Sequence, residues 1–331
     1  MAVPQESDTR QGVLLFNLGG PETLDDVRPF LYNLFSDPDI IRIRNNSLRR
    51  TVAWLIATLR QEKSRGLYRQ IGGGSPLRRI TEAQAAALSQ RLAGYGCKAK
   101  AYVGMRCWNP TIDEAVTQIL ADRIERLVVL PLFPQFSVTT TGSCLNYFRA
   151  LARKSGLEGR SKIFYVEPWY EEPLYLEAMA DQVREAQHRF SDPSPAAIHL
   201  LFSAHSIPAR YVDEGDPYLE QTRKTVALIH ERLGGLFPFT LSFQSKVGPV
   251  KWLGPATTDV IQGFGKRGIS KVLPIPVSFV SDHIETLQEI DILYRGLALK
   301  SGIREFHRAP SLNVSPKFIE ALTQITLHVL G

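Results

Sequence analysis

The sequence predicts an α/β fold made of two similar domains, each a parallel sheet flanked by helices, that face each other across a cleft. Short apolar runs alternate with segments of helical spacing, which is typical of parallel sheets with helical crossovers. The pattern restarts near residue 197, and the first strand of each half is followed by a comparable turn, Phe16-Asn-Leu-Gly-Gly-Pro21 and Phe202-Ser-Ala-His-Ser-Ile-Pro208. With 331 residues, the chain is long enough for two domains.

The first half carries four strand patterns and four helix patterns in alternation. The strands are predicted over residues 13–17, 99–106, 127–133 and 162–166, and the helices over 27–35, 81–92, 110–122 and 144–154. A glycine-rich loop, Ile71-Gly-Gly-Gly-Ser-Pro76, precedes the second of these helices. We therefore expect an N-terminal domain over residues 1–172.

The second half repeats this organisation. Strands are predicted over residues 197–203, 239–244 and 271–280, and helices over 174–190, 218–233, 255–264 and from Ser281 onward. An amphipathic helix over 316–330 is expected to pack back on the body. The expected boundaries are a C-terminal domain over 173–312 and a terminal segment over 313–331.

Composition and charge narrow the class of protein. The net charge of +6 suits acidic ligands or an anionic membrane surface, and it does not by itself indicate nucleic acid. The three cysteines form no CxxC pair, so neither a disulfide framework nor a zinc or iron–sulfur motif is indicated. We expect a cytoplasmic protein, because the first ten residues have no apolar signal region and the apolar run 52–59 is too short to span a bilayer.

Residues 39–70 differ from the rest of the first half, because apolar and basic side chains interleave along them. One interpretation is a solvated helix packed on its domain. The other is a lip that touches a membrane or guards an apolar cleft.

Nucleotide binding is not indicated. The segment Gly263-Phe-Gly-Lys-Arg-Gly268 matches G-x-G-x-x-G, but a predicted helix precedes it and a strand follows it, the reverse of a dinucleotide site. The sequence has no G-x-x-x-x-G-K-[ST] phosphate loop.

The strand predicted over 271–280 delivers charged residues at its carboxyl end, where open α/β sheets place their chemistry. Asp282, Glu285 and Glu289 are spaced i, i+3, i+7, which would place them on one face of the following helix, beside His283. Like charges at that spacing repel. Either water screens them or a positive ion binds there.

His205 is the most informative of the seven histidines. It is predicted two residues past an apolar strand, in a turn closed by Pro208. An imidazole and carboxylates from equivalent strand ends indicate a divalent-metal and proton-handling site. Without thiolates, such a site would hold a cation weakly and release it. His199 lies within a strand and is expected to pack.

Seven motifs in order resemble those of the ferrochelatase family, from about residue 12 to 330. They are Leu18-Gly-Gly-Pro-Glu-Thr23, Tyr68-Arg-Gln-Ile-Gly-Gly-Gly-Ser-Pro76, Tyr102-Val-Gly-Met-Arg106, Pro131-Leu-Phe-Pro-Gln-Phe-Ser137, Ser203-Ala-His-Ser-Ile-Pro208, Gln244-Ser-Lys-Val-Gly-Pro249 with Trp252-Leu-Gly-Pro255, and Ser281-Asp-His-Ile-Glu-Thr286. The family inserts Fe²⁺ into protoporphyrin IX, the last step of haem synthesis, between two Rossmann-like domains.

The resemblance implies roles for individual residues. His205 and Glu285 are the metal-site pair, and Asp282, His283 and Glu289 belong to the surrounding acidic network. The porphyrin pocket is implied to contain Asn17, Leu18, Tyr68, Ser75, Arg106, Trp252 and Phe279. Segment 39–70 matches the lip of protoporphyrin-type enzymes, which favours protoporphyrin over coproporphyrin and allows peripheral membrane contact.

The chain also departs from the family pattern. Leu293 stands where a third carboxylate of the acidic row is often found, so Asp291 or solvent would have to extend the row. Phe243 replaces a frequent tryptophan. We expect neither the cysteine cluster that binds [2Fe–2S] in animal enzymes nor the C-terminal membrane helix of some photosynthetic forms. We therefore expect no tightly bound cofactor, with Fe²⁺ as a substrate.

Three other classes remain open at this point. A chelatase for coproporphyrin, or one inserting cobalt into an early tetrapyrrole, would share the fold. A non-catalytic porphyrin carrier would not need the carboxylate row. A nucleotide-binding α/β protein would need the phosphate loop that is missing.

Overall fold

The computed structural model describes residues 10–246, 248 and 250–331. The N-terminal residues 1–9, expected to carry no targeting signal, and residues 247 and 249 of the motif at 244–249 lie outside this range. Within the described residues, no helix is both long and apolar enough to cross a membrane.

Two four-stranded parallel sheets form the frame. The first contains β1 (Gln11–Asn17), β2 (Lys100–Met105), β3 (Arg126–Pro131) and β4 (Lys162–Tyr165), in the order β2-β1-β3-β4. The second contains β5 (His199–His205), β6 (Phe239–Gln244), β7 (Lys271–Pro276) and β8 (Glu305–Phe306), in the order β6-β5-β7-β8. The strand order is equivalent in the two sheets, which confirms the predicted likeness of the two halves.

Helices connect the strands. In the first half they are α1 (Val27–Ser36), α2 (Asn46–Arg69), α3 (Leu77–Gly94), α4 (Ile112–Ala121) and α5 (Ser143–Ser155). The others are α6 (Pro173–Gln187), α7 (Ala209–Asp213), α8 (Tyr218–Arg232), α9 (Thr257–Lys266), α10 (Arg295–Lys300) and α11 (Pro316–Leu330). Two π-helical segments, Val138–Gly142 and Glu285–Tyr294, lead into α5 and α10, and 3₁₀ turns occupy Leu157–Gly159 and Pro195–Ala197.

The central strands are buried on both faces, as their continuous apolar runs predict. In β1, Val13 to Phe16 have no exposed surface, and in β5 the same holds for Leu200 to Phe202. Helix α11 packs against α3, α6 and β3, next to the first sheet. The expected boundaries at residues 172 and 312 stay a prediction.

The structure corrects two element ends that matter for the site. Strand β7 stops at Pro276 rather than continuing to residue 280, and the helical segment begins near Ile284 rather than at Ser281. A turn, in which the Phe279 amide donates to the Pro276 carbonyl, fills the gap. Strand β5 extends to His205, which pairs with Gln244, so His205 ends the strand instead of following it.

The positions of the glycines in residues 263–268 support the interpretation that this segment is not a dinucleotide site. Gly263 and Gly265 are inside α9, and Gly268 follows its end. A Cβ on Gly265 would stand 1.8 Å from the Ser301 carbonyl oxygen, so glycine is required there for close packing. His199 packs as expected, with its ring 4.4 Å from that of Phe264.

Candidate active site

The site forms where the carboxyl ends of β5 and β6 meet the turn after β7. His205 is the last residue of β5, and its Nδ1 lies 2.8 Å from Oε2 of Glu285. The His205 backbone is held at both groups: its amide donates to Ser278 Oγ at 2.9 Å, and its carbonyl accepts from Tyr218 Oη at 2.9 Å. The side chain of His205 is 36% exposed and that of Glu285 is 22% exposed, so both remain reachable from the cleft.

His205 and Glu285 stabilise each other's charged forms. Burial alone would lower the pKa of His205, but the charge of Glu285 and its hydrogen bond outweigh burial and raise the pKa above its usual value. Burial alone would raise the pKa of Glu285, but His205, His283 and a hydrogen bond from Ser245 hold that pKa well below its usual range. The pair therefore favours the protonated form of His205 next to an ionised Glu285.

Glu289 forms a second carboxylate position, four residues beyond Glu285 on the π-helical segment. Its carboxylate accepts hydrogen bonds from Gln244 Nε2 at 3.0 Å, the Ser245 amide at 3.1 Å and Tyr294 Oη at 2.6 Å. Burial, together with the charge of Glu285, raises the pKa of Glu289. Tyr294 is five residues after Glu289, which is the hydrogen-bonding interval of a π-helix.

Ser245 connects the two carboxylates. Its hydroxyl lies 2.8 Å from Glu285 Oε2 and also donates to Glu289 Oε2. The backbone of Ser245 has φ 65°, a left-handed conformation that non-glycine residues rarely adopt. This conformation directs both its amide and its hydroxyl at the carboxylates, an arrangement typical of functional sites.

His283 lies beside the pair. Its Nδ1 donates to the Ser281 carbonyl at 3.1 Å, which leaves Nε2 facing Glu285 at 3.9 Å. Burial lowers the pKa of His283, so its ring is neutral at pH 7. The Phe279 ring lies between the two histidines, 4.6 Å from His283 and 6.4 Å from His205 between ring centroids. His205, Glu285, Glu289 and His283 thus lie together, as expected.

Asp282 does not lie on the face that carries Glu285 and Glu289, and this part of the sequence prediction is wrong. Because the helical segment begins only after it, Asp282 turns away and pairs with Arg308 at 3.1 Å. Asp291 is bound by Arg308 through two hydrogen bonds of 2.8 Å, so it does not extend the carboxylate row. Leu293 is 52% exposed.

Among the described residues, no group of three or more His, Cys, Asp or Glu side chains is arranged to hold a metal ion. His205 and Glu285 offer two protein ligands, and the other positions around a cation would be open to a second reactant.

Two of the pocket residues expected from the first half, Asn17 and Arg106, lie at the carboxyl ends of β1 and β2. Asn17 is buried and uses its amide within the fold, donating to Thr81 at 3.2 Å and accepting from the Leu18 amide at 2.9 Å. Arg106 pairs with the buried carboxylate of Asp37 at 3.0 Å, so its charge is already balanced. These contacts shape the loop rather than point at His205.

Tyr68 and Ser75 come from the end of α2 and the loop after it. Tyr68 is 4% exposed, and burial together with the charge of Glu285 raises its pKa. The Ser75 amide donates to the Pro21 carbonyl at 2.7 Å. A Cβ on Gly74 would stand 1.9 Å from the Glu22 carbonyl oxygen, so only glycine lets the loops around residues 20 and 74 touch.

Trp252 is joined to the His205 segment through an antiparallel bridge with Pro208. It and Leu18 are partly exposed, as pocket walls need to be. The structure adds four residues that the sequence reasoning did not assign: Tyr218, Gln244, Ser245 and Tyr294. Gln244 and Ser245 belong to a motif already noted, but the interval between Glu289 and Tyr294 carried no signal because a π-helix cannot be distinguished from an α-helix by sequence spacing.

Comparison with known proteins identifies the chain's relatives. The family model described as ferrochelatase matches residues 10–330. A ferrochelatase of Gloeothece citriformis is 49% identical over 322 residues, 97% of this chain and 83% of the relative. A ferrochelatase of Gloeobacter violaceus is 49% identical over 97% of this chain and 98% of its own length.

Solved structures share the fold at low identity. SirB from Bacillus subtilis with Fe³⁺ matches with a TM-score of 0.56 at 12% identity, covering 97% of this chain and 96% of that one. CbiX, described as the terminal enzyme of sirohaem biosynthesis in denitrifying bacteria, matches with a TM-score of 0.55 at 14% identity over 97% of this chain and all of that one. At these identities the likeness concerns the two-domain Rossmann-like architecture alone. The family match and the two close relatives decide the assignment: this chain belongs to the ferrochelatase family.

Proposed function

We propose that this protein inserts Fe²⁺ into protoporphyrin IX and releases two protons, the last step of haem synthesis. The observation that carries the proposal is the His205–Glu285 pair at 2.8 Å, open to a cleft, in a chain of this family. Metal insertion requires Fe²⁺ to lose water, two pyrrole N–H groups to lose protons, and the ring to bend so that its lone pairs face the metal.

His205 is proposed to accept pyrrole protons or to ligate the metal during transfer. Glu285 favours the protonated form of His205, and that form has to lose its proton before the imidazole can do either. An approaching Fe²⁺ favours that loss, because like charges disfavour the imidazolium form. His205 would therefore lose its proton as the metal ion arrives beside the pair.

Glu289 is proposed to receive protons from the pair. Its raised pKa makes it a better proton acceptor than an ordinary glutamate, and the Ser245 hydroxyl links it to Glu285. His283 would lie beside this route, with its Nε2 3.9 Å from Glu285. Asp282, which binds Arg308, would act on the site only by holding the turn.

The porphyrin is proposed to lie against the apolar walls Leu18, Phe279 and Trp252, below the α2 lip. A wall that fits a bent ring better than a flat one lowers the barrier, because it binds the transition state more strongly than the substrate. Tyr68, Ser75 and Asn17 would close the first-half side of the pocket. Arg106 would give a propionate a hydrogen bond rather than net charge, since Asp37 already balances it.

The lip favours protoporphyrin as the substrate. Helix α2 presents exposed leucines, and protoporphyrin has two charged propionates where coproporphyrin has four. We propose a cytoplasmic enzyme that contacts the membrane peripherally through this lip. No nucleic acid or nucleotide takes part in this function.

A turnover assay tests the function. The protein is mixed with protoporphyrin IX and Fe²⁺ or Zn²⁺, and formation of the metalloporphyrin is followed by fluorescence. We expect many turnovers per protein, and a higher kcat/KM for protoporphyrin than for coproporphyrin. One equivalent of bound porphyrin without turnover would instead identify a carrier, and preference for coproporphyrin would move the substrate assignment.

A further inference from the structure

Two partly exposed carboxylates outside the proposed site flank its own carboxylates along the chain. Asp282 precedes Glu285 by three residues, and Asp291 follows Glu289 by two. Both bind the same guanidinium, that of Arg308, which comes from the segment after β8. The Arg308 side chain thus holds the chain at two points, just before the helical segment begins and in the second turn of that segment.

The contacts of Arg308 are unusually complete. Its Nε and one Nη each lie 2.8 Å from Asp291, and that same Nη lies 3.1 Å from Asp282. The other Nη donates to Ser311 Oγ at 3.2 Å and to the Ala309 carbonyl at 3.3 Å. A planar guanidinium with a two-point bond to a carboxylate fixes orientation as well as distance.

Asp282 is in turn held by the same segment. Its carboxylate accepts hydrogen bonds from Asn313 Nδ2 and Ser311 Oγ, both at 2.8 Å, and its amide donates to Asn313 Oδ1 at 2.9 Å. It also accepts from the Thr286 hydroxyl at 3.0 Å, next to Glu285 in the chain. The network therefore reaches the residue adjacent to the metal-site glutamate.

The π-helical segment needs such support. A π-helix is a rare and strained arrangement that persists where surrounding contacts hold it. The contact between His205 and Glu285 at 2.8 Å depends on where this segment begins. A shift of about 1 Å at a reacting group is enough to cost about 100-fold in rate.

We propose that Arg308 is a positioning residue for metal insertion: by clamping Asp282 and Asp291 it holds Glu285 and Glu289 in place opposite His205. This inference rests on the proposed function. The side chain of Arg308 is 10% exposed and no reacting group touches it, so it acts only through the helical segment.

The main test compares Arg308→Lys with the wild type in zinc insertion. Lysine keeps the charge but cannot bond both oxygens of Asp291 while reaching Asp282. We expect kcat/KM for the metal to fall about 10–100-fold, the usual effect of removing a partner that orients a metal ligand. The Kd of protoporphyrin, measured by fluorescence quenching, should stay within about twofold of wild type, since the pocket walls are untouched.

A milder variant guards against a failure to fold. Asp291→Asn removes one charge from a side chain that is 37% exposed and leaves the Arg308–Asp282 contact in place. We expect a smaller fall in kcat/KM for the metal, again with unchanged porphyrin binding. Arg189→Lys is the matched control, because Arg189 also pairs with a carboxylate, that of Glu185, but both side chains are exposed; it should behave as wild type.

Two results would overturn the positioning role. One is Arg308→Lys or Asp291→Asn with metal kcat/KM within about threefold of wild type. The other is a parallel loss of porphyrin binding, which would assign Arg308 to stability of the whole fold. If the wild type itself forms no metalloporphyrin, the proposed function is wrong. That result differs from one in which the wild type turns over and Arg308→Lys is equally active, which contradicts only the positioning role.

Discussion

At the scale of single residues, the site depends on a pair whose members each perturb the other. His205 faces Glu285 directly, with Glu289 and His283 as the other ionisable groups that act on it or on its partner. The carboxylate raises the pKa of the imidazole, while burial acts in the opposite direction. Removing the carboxylate of Glu285 therefore leaves only the weaker effect of Glu289 to oppose burial.

The variant Glu285→Gln should shift the pH dependence of metal insertion. Insertion needs His205 without its proton, so the rate rises as pH passes upward through the raised pKa. With glutamine the pKa of His205 falls, and the acid limb of kcat/KM should move to lower pH while the maximal rate drops. Zinc insertion measured from pH 5 to 9 checks this, and an acid limb at the same pH in both proteins would contradict it.

At the scale of elements, glycine allows two loops of the first half to meet. The loop at 71–76 touches the loop after β1 at Gly74, where a side chain would collide with the Glu22 carbonyl. Gly74 precedes Ser75, one of the expected pocket residues. The contact therefore sets the position of Ser75.

The variant Gly74→Ala should lower the free energy of unfolding by about 1–3 kcal/mol, the usual cost of forcing a methyl group into a packed contact. Chemical denaturation measures it. Gly66→Ala is the control, because Gly66 lies within α2 with nothing within 4 Å of its Cβ position and alanine favours helix. A Gly74→Ala protein as stable as the Gly66→Ala protein would contradict the packing account.

The outer face of α2 carries the proposed membrane contact. Leu48, Leu55 and Leu59 are 54, 51 and 73% exposed, and their spacing places them on one helix face, opposite the buried Ala53 and Ala57. Basic residues flank this face along the segment 39–70. Such a surface suits an anionic bilayer.

Replacing Leu55 and Leu59 together by serine should lower partitioning onto phosphatidylglycerol-containing vesicles by about tenfold or more, since burying one leucine is worth about 1.5–3 kcal/mol. Co-sedimentation measures the partition coefficient. Leu236→Ser, which removes an exposed leucine elsewhere, is the control and should bind like wild type. Equal vesicle binding by all three proteins would remove the membrane role of the lip.

At the scale of the whole molecule, the two halves are joined by contacts that set the cleft. Gln84 of α3 donates to Ser281 Oγ at 2.9 Å and to the Asn313 carbonyl at 2.8 Å, both beside the turn that carries Asp282. A side chain of the first half thus holds the turn of the second half that carries Asp282.

The variant Gln84→Leu should cost about 1–3 kcal/mol of stability, because it leaves buried polar groups unpaired, and should raise KM for porphyrin by loosening the cleft. Thermal unfolding and steady-state kinetics measure the two effects. Gln118→Leu, at an exposed position of α4, is the control. Unchanged stability and KM in Gln84→Leu would show that the two halves are positioned by other contacts.

Sequence reasoning recovers the fold because apolar runs report buried parallel strands directly, as in β1 and β5. It places His205 and Glu285 near each other because neighbouring parallel strands deliver them to the same edge of the sheet, and their roles stay a prediction. It fails where the position of a side chain depends on where an element begins. The helical segment starts after Asp282, so that carboxylate binds Arg308 and does not share a helix face with Glu285. Long-range partners such as Ser245 and Tyr294 depend on backbone geometry that spacing does not encode.

His205 is proposed to act directly in the insertion step. His205→Ala is compared with His188→Ala, an exposed histidine after α6, in the zinc and iron insertion assays and in protoporphyrin binding. We predict that His205→Ala binds protoporphyrin with nearly wild-type affinity but forms no metalloporphyrin, while His188→Ala turns over normally. Near-normal turnover by His205→Ala would contradict the account.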